Sequence, residues 1–334
     1  MRPARRREPA PNVFRLILPL PFESLRWVNA YLLGGRETTL VDCGIHDPES
    51  AGGQSWTALE DALRACDTSV DDIERIVVTH PHADHYGMAA RLVETTGAEL
   101  WMHEAAPREV ADLIHPGGRT ARLRSVLGDS ESDVEGFAPS QDWRPYLSGL
   151  VAASHDANDG DTFRAGTRSW RIIHTPGHAR AHVCLWSESD ALLVSGDHLL
   201  GSITPHIDAG DGREDPLGDY LSSLLEVEKL SPGLVLPGHG RPFDGGAERA
   251  RATQRHHERR LGAILQVLRR GPLSLAEVTD EIFGTGLIGV ERGLALGEAL
   301  AHLDYLERRD EIETLRRDGV VAWRRRQRSA GRPE

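Results

Sequence analysis

Short apolar runs separated by turn residues dominate the first hundred positions of the chain. Three of them are rich in aliphatic and β-branched residues and predict strands: 13–18, 28–33 and 39–42. Gly34-Gly35 predicts the hairpin turn between the second and third runs. Apolar residues at helical spacing then predict a helix over 56–65.

The pattern continues in the same mixed fashion towards residue 240. Six more apolar runs have strand character: 76–78, 100–102, 170–173, 183–186, 191–194 and 234–236. Helical periodicity predicts helices over 88–94 and 217–230. The predicted elements up to about residue 240 are therefore a mixture of short strands and helices.

The stretch 104–160 interrupts the pattern. It is rich in Gly, Pro, Ser and Asp, and a segment of that length without strong periodicity is functional or mobile. It also contains Phe137, Trp143 and Tyr146, aromatic residues that a lid over a site would use. We therefore predict that 104–160 is an inserted lid or interface segment, with ordinary core packing of its aromatic residues as the alternative.

Composition changes after Gly245-Gly246, which predicts a domain boundary there. An arginine-rich helix over 247–269 is followed by two helices, 275–282 and 294–308, the first capped by Ser274. Two strands are predicted around the turn 317–319. The order helix, helix, hairpin is typical of a winged helix, so we predict a catalytic domain over 1–246 and a small winged-helix-like domain over 247–334.

Composition sets limits on the function. The chain has 334 residues, of which 39% are hydrophobic and 27% charged, as in soluble globular proteins. Its formal charge of −12 opposes binding to anionic membranes or nucleic acid. Three cysteines form no CxxC pair, and no apolar run is long enough to cross a bilayer or act as a signal peptide. We expect a cytoplasmic protein.

The segment His80-x-His82-x-Asp84-His85 concentrates metal-binding chemistry directly after a predicted strand. In an extended chain, residues two apart point the same way, so His80 and His82 can reach one ion. Asp84 and His85 begin the next helix and can face a second ion. Imidazole and carboxylate ligands together suit zinc, iron or manganese.

Three further candidates each follow a predicted strand within a glycine-containing turn: His178 in TPGH, Asp197 in SGDH and His239 in PGHG. Ligands delivered from strand ends give the rigid mounting that a metal site needs.

In these four motifs, HxHxDH, TPGH, SGD and PGHG, the sequence resembles the metallo-β-lactamase superfamily from Val13 to about Phe243. The resemblance implies an α+β fold, an αββα sandwich with two sheets face to face and helices outside. It also implies that His80, His82 and His178 bind one metal ion and that Asp84, His85 and His239 bind a second. Asp197 would bridge the two ions.

The implied reaction is hydrolysis by a hydroxide that bridges two divalent ions, most simply Zn²⁺, with Fe or Mn as alternatives. Asp84 and Asp197 would be the catalytic carboxylates, with Asp84 orienting the hydroxide. Asp42, Thr79 and Thr175 are expected to support the ligands through hydrogen bonds. Candidate substrate contacts are His198, His206, Trp143 and Tyr146. The remaining motif-free histidines are interpreted as structural: His103, His115, His155, His256 and His257.

The winged-helix-like tail resembles that of the lactamase-beta-like branch of the superfamily, which includes thioester-cleaving enzymes and a single-strand endoribonuclease. We therefore expect hydrolysis of a small ester, thioester or lactone. Metal-dependent cleavage of single-stranded RNA is the alternative, and a mononuclear iron persulfide dioxygenase is a minor one. A non-catalytic metal-stabilised scaffold is a further class. Asp197 argues against β-lactam hydrolysis, because zinc β-lactamases have cysteine or no bridging carboxylate there.

Charge in the tail bears on the choice of partner. Residues 271–334 carry 10 arginines and 12 acidic residues, whereas a winged helix that reads DNA is normally basic. We expect a small-molecule substrate, no membrane contact, and nucleic acid as a disfavoured alternative. The tail would brace the catalytic domain or form a homodimer contact.

Overall fold

The computed structural model describes residues 8–23, 25–34, 38–47, 54–115, 117–127, 143–209, 212–317 and 320–326. The chain forms two compact units. The first comprises 1–114, 142–205 and 222–251, and the second comprises 115–141, 206–221 and 252–334. The observed units differ from the predicted division at residue 246, because residues 115–141 and 206–221 belong to the second unit.

The first unit contains two six-stranded sheets. The first sheet consists of β1 (Val13–Pro19), β2 (Trp27–Leu33), β3 (Thr39–Val41), β4 (Arg75–Val77), β5 (Glu99–Met102) and β6 (His155–Asp156), in that order. Strands β1 to β3 pair antiparallel, and β3 to β6 pair parallel. All of the predicted strands before residue 103 are present within one or two residues of their predicted ends.

The second sheet consists of β7 (Thr162–Ala165), β8 (Arg168–His174), β9 (Val183–Ser187), β10 (Leu192–Gly196), β11 (Leu234–Pro237) and β12 (Phe243–Asp244). Its order is β12-β11-β10-β9-β8-β7. Only the β10–β11 pair is parallel among these neighbours. Strands β8 and β10 both pair antiparallel with β9, so they run in the same direction as each other and as β11.

A shared apolar cluster packs the two sheets face to face. Tyr31 and Leu33 of the first sheet belong to the same buried cluster as Trp170, Ile172 and Leu185 of the second. These residues alternate along their strands, as the pleat requires of side chains that face one layer. The inner layer of the predicted αββα sandwich is therefore present, and the fold is the α+β fold predicted from the sequence.

Helices cover the other face of the first sheet. They are α1 (Gln54–Arg64), α2 (Ala83–Tyr86), α3 (Ala89–Thr96) and α4 (Ala106–Ile114). Leu59 and Leu63 of α1 and Leu92 of α3 are fully buried against Leu32 and Leu40 in this second cluster. Burying one such leucine contributes about 1.5–3 kcal/mol, so the helices and the sheet stabilise each other.

The stretch 104–160 is more regular than predicted. It contains α4, α5 (Gly117–Leu127) and β6. In α4, Val110, Leu113 and Ile114 pack against the helix-covered face of the first sheet. Their helical spacing was present in the sequence, but the Gly, Pro and Asp residues around it diluted the signal. Phe137 lies outside the described residues.

The later helices are α6 (Pro216–Leu230), α7 (Gly246–Val267), α8 (Leu275–Phe283) and α9 (Gly289–Arg308). A three-stranded sheet in the second unit has the order β13 (Leu273–Ser274), β15 (Val320–Arg325), β14 (Ile312–Arg317). Ser274 begins α8 with a capping box, since its hydroxyl accepts from Glu277 N–H and the Glu277 carboxylate accepts from Ser274 N–H. The predicted element order is present, and the winged-helix description stays a prediction. Among the described helices, none combines the length and apolarity that a bilayer span requires.

Gly87 follows α2, and the surrounding backbone closes tightly on it. A Cβ atom at this position would lie 2.6 Å from the amide nitrogen of His46 and 2.7 Å from the carbonyl oxygen of Tyr146. Both atoms are backbone, so they cannot rotate away as a side chain could. Gly87 therefore lets residues 143–148 lie directly against the end of the HxHxDH helix.

We expect Gly87→Ala to destabilise the protein by about 1–3 kcal/mol, since overpacking forces backbone shifts. The matched control is Gly262→Ala, the same substitution at an exposed position of α7 where a Cβ meets no atom within 4 Å. That change should leave stability unchanged or raise it by up to about 1 kcal/mol. Thermal unfolding followed by circular dichroism measures both, and an unchanged melting temperature for Gly87→Ala would contradict the packing described.

Candidate metal centre

Every predicted ligand lies just after a strand or in the short helix that follows one. His80 and His82 follow β4, Asp84 and His85 lie in α2, His178 follows β8, Asp197 follows β10 and His239 follows β11. Because β8, β10 and β11 run in one direction, their carboxyl ends meet at one edge of the second sheet. These chain segments meet at the end of β4, where the seven side chains form overlapping groups of three. Within each group, the ligand atoms lie within 4.8 Å of one another.

Three imidazoles form the first group. The Nε2 atom of His80 lies 3.0 Å from Nδ1 of His82. Nε2 of His178 lies 3.1 Å from the same nitrogen, although 96 positions separate the two residues. Three nitrogens at this spacing can hold one ion in the manner of a three-histidine site.

Asp84, His85 and His239 form the second group. The Oδ2 atom of Asp84 lies 3.1 Å from Nε2 of His239 and 3.7 Å from Nε2 of His85. Two imidazoles and one carboxylate are the mixed donor set that zinc, iron and manganese accept.

The carboxylate of Asp197 lies between the two groups. Its Oδ2 is 3.8 Å from Nε2 of His178 and 3.4 Å from Nε2 of His239. Its Oδ1 is 3.5 Å from Nε2 of His85. One carboxylate thus reaches members of both groups, as the position predicted for a bridging ligand requires.

Asp42 and Thr79 contact two of the predicted ligands, His85 and His80. Thr79 donates from its backbone N–H to Oδ1 of Asp42 at 2.7 Å and from its hydroxyl to Oδ2 at 3.0 Å. Nδ1 of His85 donates to Oδ2 of Asp42 at 2.7 Å. With Nδ1 protonated, Nε2 of His85 keeps its lone pair and faces Asp84 and Asp197. Thr79 Oγ1 also lies 3.1 Å from Nδ1 of His80.

His182, which sequence reasoning missed, holds the backbone of the bridging residue. Its Nε2 accepts a hydrogen bond from Asp197 N–H at 3.1 Å. Its Nδ1 must then carry the proton, and it donates to Thr175 Oγ1 at 2.8 Å. Thr175 therefore acts on Asp197 through His182. His182 lies four positions after His178, but this spacing in a loop did not indicate a role at the metal centre.

The loop that carries His239 is fastened by residues of β2. Asn29 donates from its side chain to the Pro237 carbonyl at 2.7 Å, and the Tyr31 hydroxyl donates to the same carbonyl at 2.8 Å. His239 itself donates from Nδ1 to the Trp27 carbonyl at 2.9 Å, which leaves Nε2 as the ligand atom. Gly238 is required here, because a Cβ would overlap Oδ1 of Asp197.

A carboxylate from α4 fixes the loop that carries His178. Glu109 accepts from the backbone N–H groups of Arg180 and, at 2.9 Å, Ala181. Both residues lie between His178 and His182. Glu109 belongs to the stretch predicted as a lid, so this part of it anchors the centre, and sequence spacing gave no indication of the contact.

Burial and charge act differently on the two groups. Burial lowers the pKa of His80 well below its usual value and that of His82 to about 3, so both rings are neutral and keep a lone pair. Burial also opposes the charging of His239, but the carboxylates of Asp197 and Asp84 raise its pKa to about 10. The same opposition of burial and carboxylates leaves the pKa of His85 well above normal. The second group thus concentrates negative charge that favours a cation.

The donor set fits a metal. Nε2 of His85 and Oδ1 of Asp197 are both buried, and neither makes a hydrogen bond within the described residues. Such atoms are costly unless a ligand satisfies them, and a divalent ion would satisfy both. The residues present can therefore bind metal ions.

The candidate substrate contacts lie in three different environments. His198 is fully buried, so the structure gives no support to direct contact between its side chain and a substrate. Trp143 and Tyr146 pack with Phe22, at ring-centroid distances of 6.1 and 5.8 Å, on the helix-covered core cluster. His206 belongs to the second unit, where its Nδ1 lies 3.7 Å from Oε2 of Glu298.

The chain matches two family profiles. The Metallo-beta-lactamase superfamily profile covers residues 26–239, and the profile of the Metallo-beta-lactamase-like, C-terminal domain covers 261–326. The first match includes all seven predicted ligands.

Individual proteins are similar over most of this chain. The probable metallo-hydrolase YqjP of Bacillus subtilis is 27% identical over 325 residues, which cover 90% of this chain and 94% of YqjP. The crystal structure of a beta-lactamase domain protein from Burkholderia ambifaria has a TM-score of 0.84 and 30% identity, and the match covers 96% of this chain and 94% of that one. An atrochrysone carboxyl ACP thioesterase of Aspergillus fumigatus is 26% identical over 66% of this chain and 39% of its own length. The chain therefore belongs to the metallo-β-lactamase superfamily and is a metallo-hydrolase.

Proposed function

We propose that this metallo-hydrolase uses two divalent metal ions, most simply Zn²⁺, to hydrolyse a small ester, thioester or lactone. The observation that carries the proposal is the position of Asp197, whose Oδ2 lies 3.8 Å from His178 of the first group and 3.4 Å from His239 of the second. A carboxylate shared in this way suits a pair of ions better than a single one.

The protein's own residues supply binding and orientation. His80, His82 and His178 would hold one ion, and Asp84, His85 and His239 the other. When bound, such a pair of ions lowers the pKa of a water to near neutrality and polarises the substrate oxygen. Asp84, whose Oδ2 lies 3.1 Å from Nε2 of His239, would orient the attacking water by accepting a hydrogen bond from it. Asp42, through His85, keeps the imidazole lone pair aimed at the centre.

Two observations support acyl substrates over RNA. One relative that matches 66% of this chain is named as a carboxyl ACP thioesterase, an enzyme that cleaves an acyl thioester. The chain also carries a formal charge of −12, which repels the phosphodiester backbone of RNA. Both observations favour an acyl substrate over RNA.

Metal removal tests the role of the centre. We expect a strong chelator to abolish hydrolysis and Zn²⁺ to restore it. Asp197→Asn should lower kcat by about 10²-fold or more, because it removes the shared negative charge while keeping the side chain's shape. It should also retain at least one metal ion fewer per chain than wild type, measured by elemental analysis. Asp61→Asn, an exposed aspartate in α1, is the matched control and should behave as wild type. The wild-type number of ions together with full activity in Asp197→Asn would refute the shared-ligand role.

A substrate panel tests the reaction class. Acyl thioesters of different chain lengths, aryl esters and lactones are offered to the purified protein alongside single-stranded RNA. We expect thiol or acid release from at least one acyl class, measured by a thiol reagent or by pH change, and no release by Asp197→Asn. RNA cleavage that survives repurification and disappears in Asp197→Asn, with every acyl substrate inert, would replace this proposal by the endoribonuclease alternative.

Glu109 provides a test of ligand positioning. Glu109→Gln keeps the size of the side chain but loses its charge and turns one acceptor into a donor, which faces a backbone N–H. We expect about 10–100-fold weaker binding at the ion held by His178, since residues that orient a ligand contribute on that scale. Metal affinity is measured by competition with a chromophoric chelator. Glu104→Gln, an exposed position just before α4, is the control. A melting temperature that falls while metal affinity stays at the wild-type value would show that Glu109 is only structural.

A further inference from the structure

Another cluster of side chains that could bind a metal lies in the second unit, and none of its residues belongs to the four sequence motifs. His257 is on α7, and Glu298 and His302 are on α9. Residues four apart on a helix share one face, so Glu298 and His302 project together towards His257. One donor atom from each of the three lies within 4.8 Å of the other two.

The two imidazoles are oriented for ligation. Nδ1 of His302 donates to the Glu298 carbonyl oxygen at 2.7 Å, so the lone pair of its neutral ring is on Nε2. That Nε2 lies 3.1 Å from Nδ1 of His257. His80, His82 and His178 approach one another at 3.0 and 3.1 Å in the catalytic centre. The spacing is therefore the same in both clusters.

Burial argues against the alternative in which the two imidazole rings only hydrogen-bond to each other. His257 and His302 are both 0% exposed. If the two rings only hydrogen-bonded to each other, Nε2 of His257 would stay buried with no hydrogen-bond partner among the described residues. Leaving a buried nitrogen unsatisfied is unfavourable, so direct pairing of the two rings alone does not account for this cluster.

Charge selects the kind of ion. Burial lowers the pKa of His257 to about 3 and that of His302 to about 4, so both rings are neutral. Glu298 is paired with Arg260, and its Oε2 lies 3.7 Å from His206. Because Arg260 offsets the carboxylate charge, the group does not attract hard cations such as Mg²⁺ or Ca²⁺. Two imidazoles favour Zn²⁺ or a similar transition-metal ion.

We propose that His257, Glu298 and His302 form a further transition-metal site that ties α7 to α9 in the second unit. Three protein ligands on two helices would cross-link them, as structural zinc does in small domains that have a limited apolar core. The site uses none of the residues assigned to hydrolysis, so it stands or falls independently of the proposed function.

Metal counting tests the site. The full-length protein is stripped with chelator, refilled with Zn²⁺ and passed through a desalting column before elemental analysis. His302→Asn keeps a donor for the Glu298 carbonyl but lacks Nε2, and we expect it to retain one ion fewer per chain than wild type. His256→Asn removes the neighbouring histidine of α7 and should retain the wild-type number. Equal ion counts in wild type and His302→Asn would overturn the proposal.

Anomalous diffraction at the zinc edge gives a second measurement that needs no variant. The wild-type protein, refilled in the same way, should show a peak about 2.0–2.1 Å from a ring nitrogen of both His257 and His302. This result decides the case even if His302→Asn does not fold. Zinc peaks confined to the catalytic centre, with none between α7 and α9, would overturn the proposal.

Discussion

The buried carboxylate of Asp42 is the contact on which the candidate metal centre depends. It is 1% exposed and accepts hydrogen bonds from the backbone and hydroxyl of Thr79 and from Nδ1 of His85. A buried charge is tolerated only with such partners, so the ends of β3 and β4 and the start of α2 are held in one arrangement. Asp42 adopts a left-handed backbone conformation, φ 59°, which costs about 1 kcal/mol or more and is offset by these bonds.

The two sheets contribute different halves of the centre, and their shared core keeps the halves in register. His80, His82, Asp84 and His85 come from the first sheet, whereas His178, Asp197 and His239 come from the second. Cross-sheet hydrogen bonds from Asn29 and Tyr31 to Pro237 join the halves at the rim. Glu109 then fixes the backbone that follows the TPGH turn, and His182 fixes the backbone of Asp197. The irregular loops are therefore set by a rigid framework.

The group of His257, Glu298 and His302 in the second unit shares one structural feature with the candidate metal centre. His239 and His302 each donate from Nδ1 to a backbone carbonyl, and each keeps Nε2 for a ligand. The candidate metal centre also contains three carboxylates, Asp42, Asp84 and Asp197, which concentrate negative charge. The group of His257, Glu298 and His302 instead has one carboxylate, and Arg260 neutralises it. The first arrangement suits chemistry on a bound substrate, and the second suits a structural cross-link.

The sequence alone predicted most of the elements and the HxHxDH candidates, because these depend on neighbouring residues. Apolar runs rich in β-branched residues placed β1 and β2 within a residue or two, and Ser274 marked the start of α8. His178, Asp197 and His239 were candidates because each follows a predicted strand, and the family's motifs then assigned them to metal ions. Their convergence is a tertiary event: His178 meets His82 across 96 positions, and Asn29 meets Pro237 across 208.

Beyond Asp42, Thr79 and Thr175, only the tertiary structure identified the residues that hold the ligands. Glu109, His182 and Asn29 lie in no motif, and their partners are backbone groups, which leave no trace in the pattern of side chains. His257 was interpreted as structural because its neighbours along the chain gave no metal-binding spacing. Its partners Glu298 and His302 come from another helix. Spacing along the chain reports on one face of one element, whereas these contacts depend on how separate elements pack.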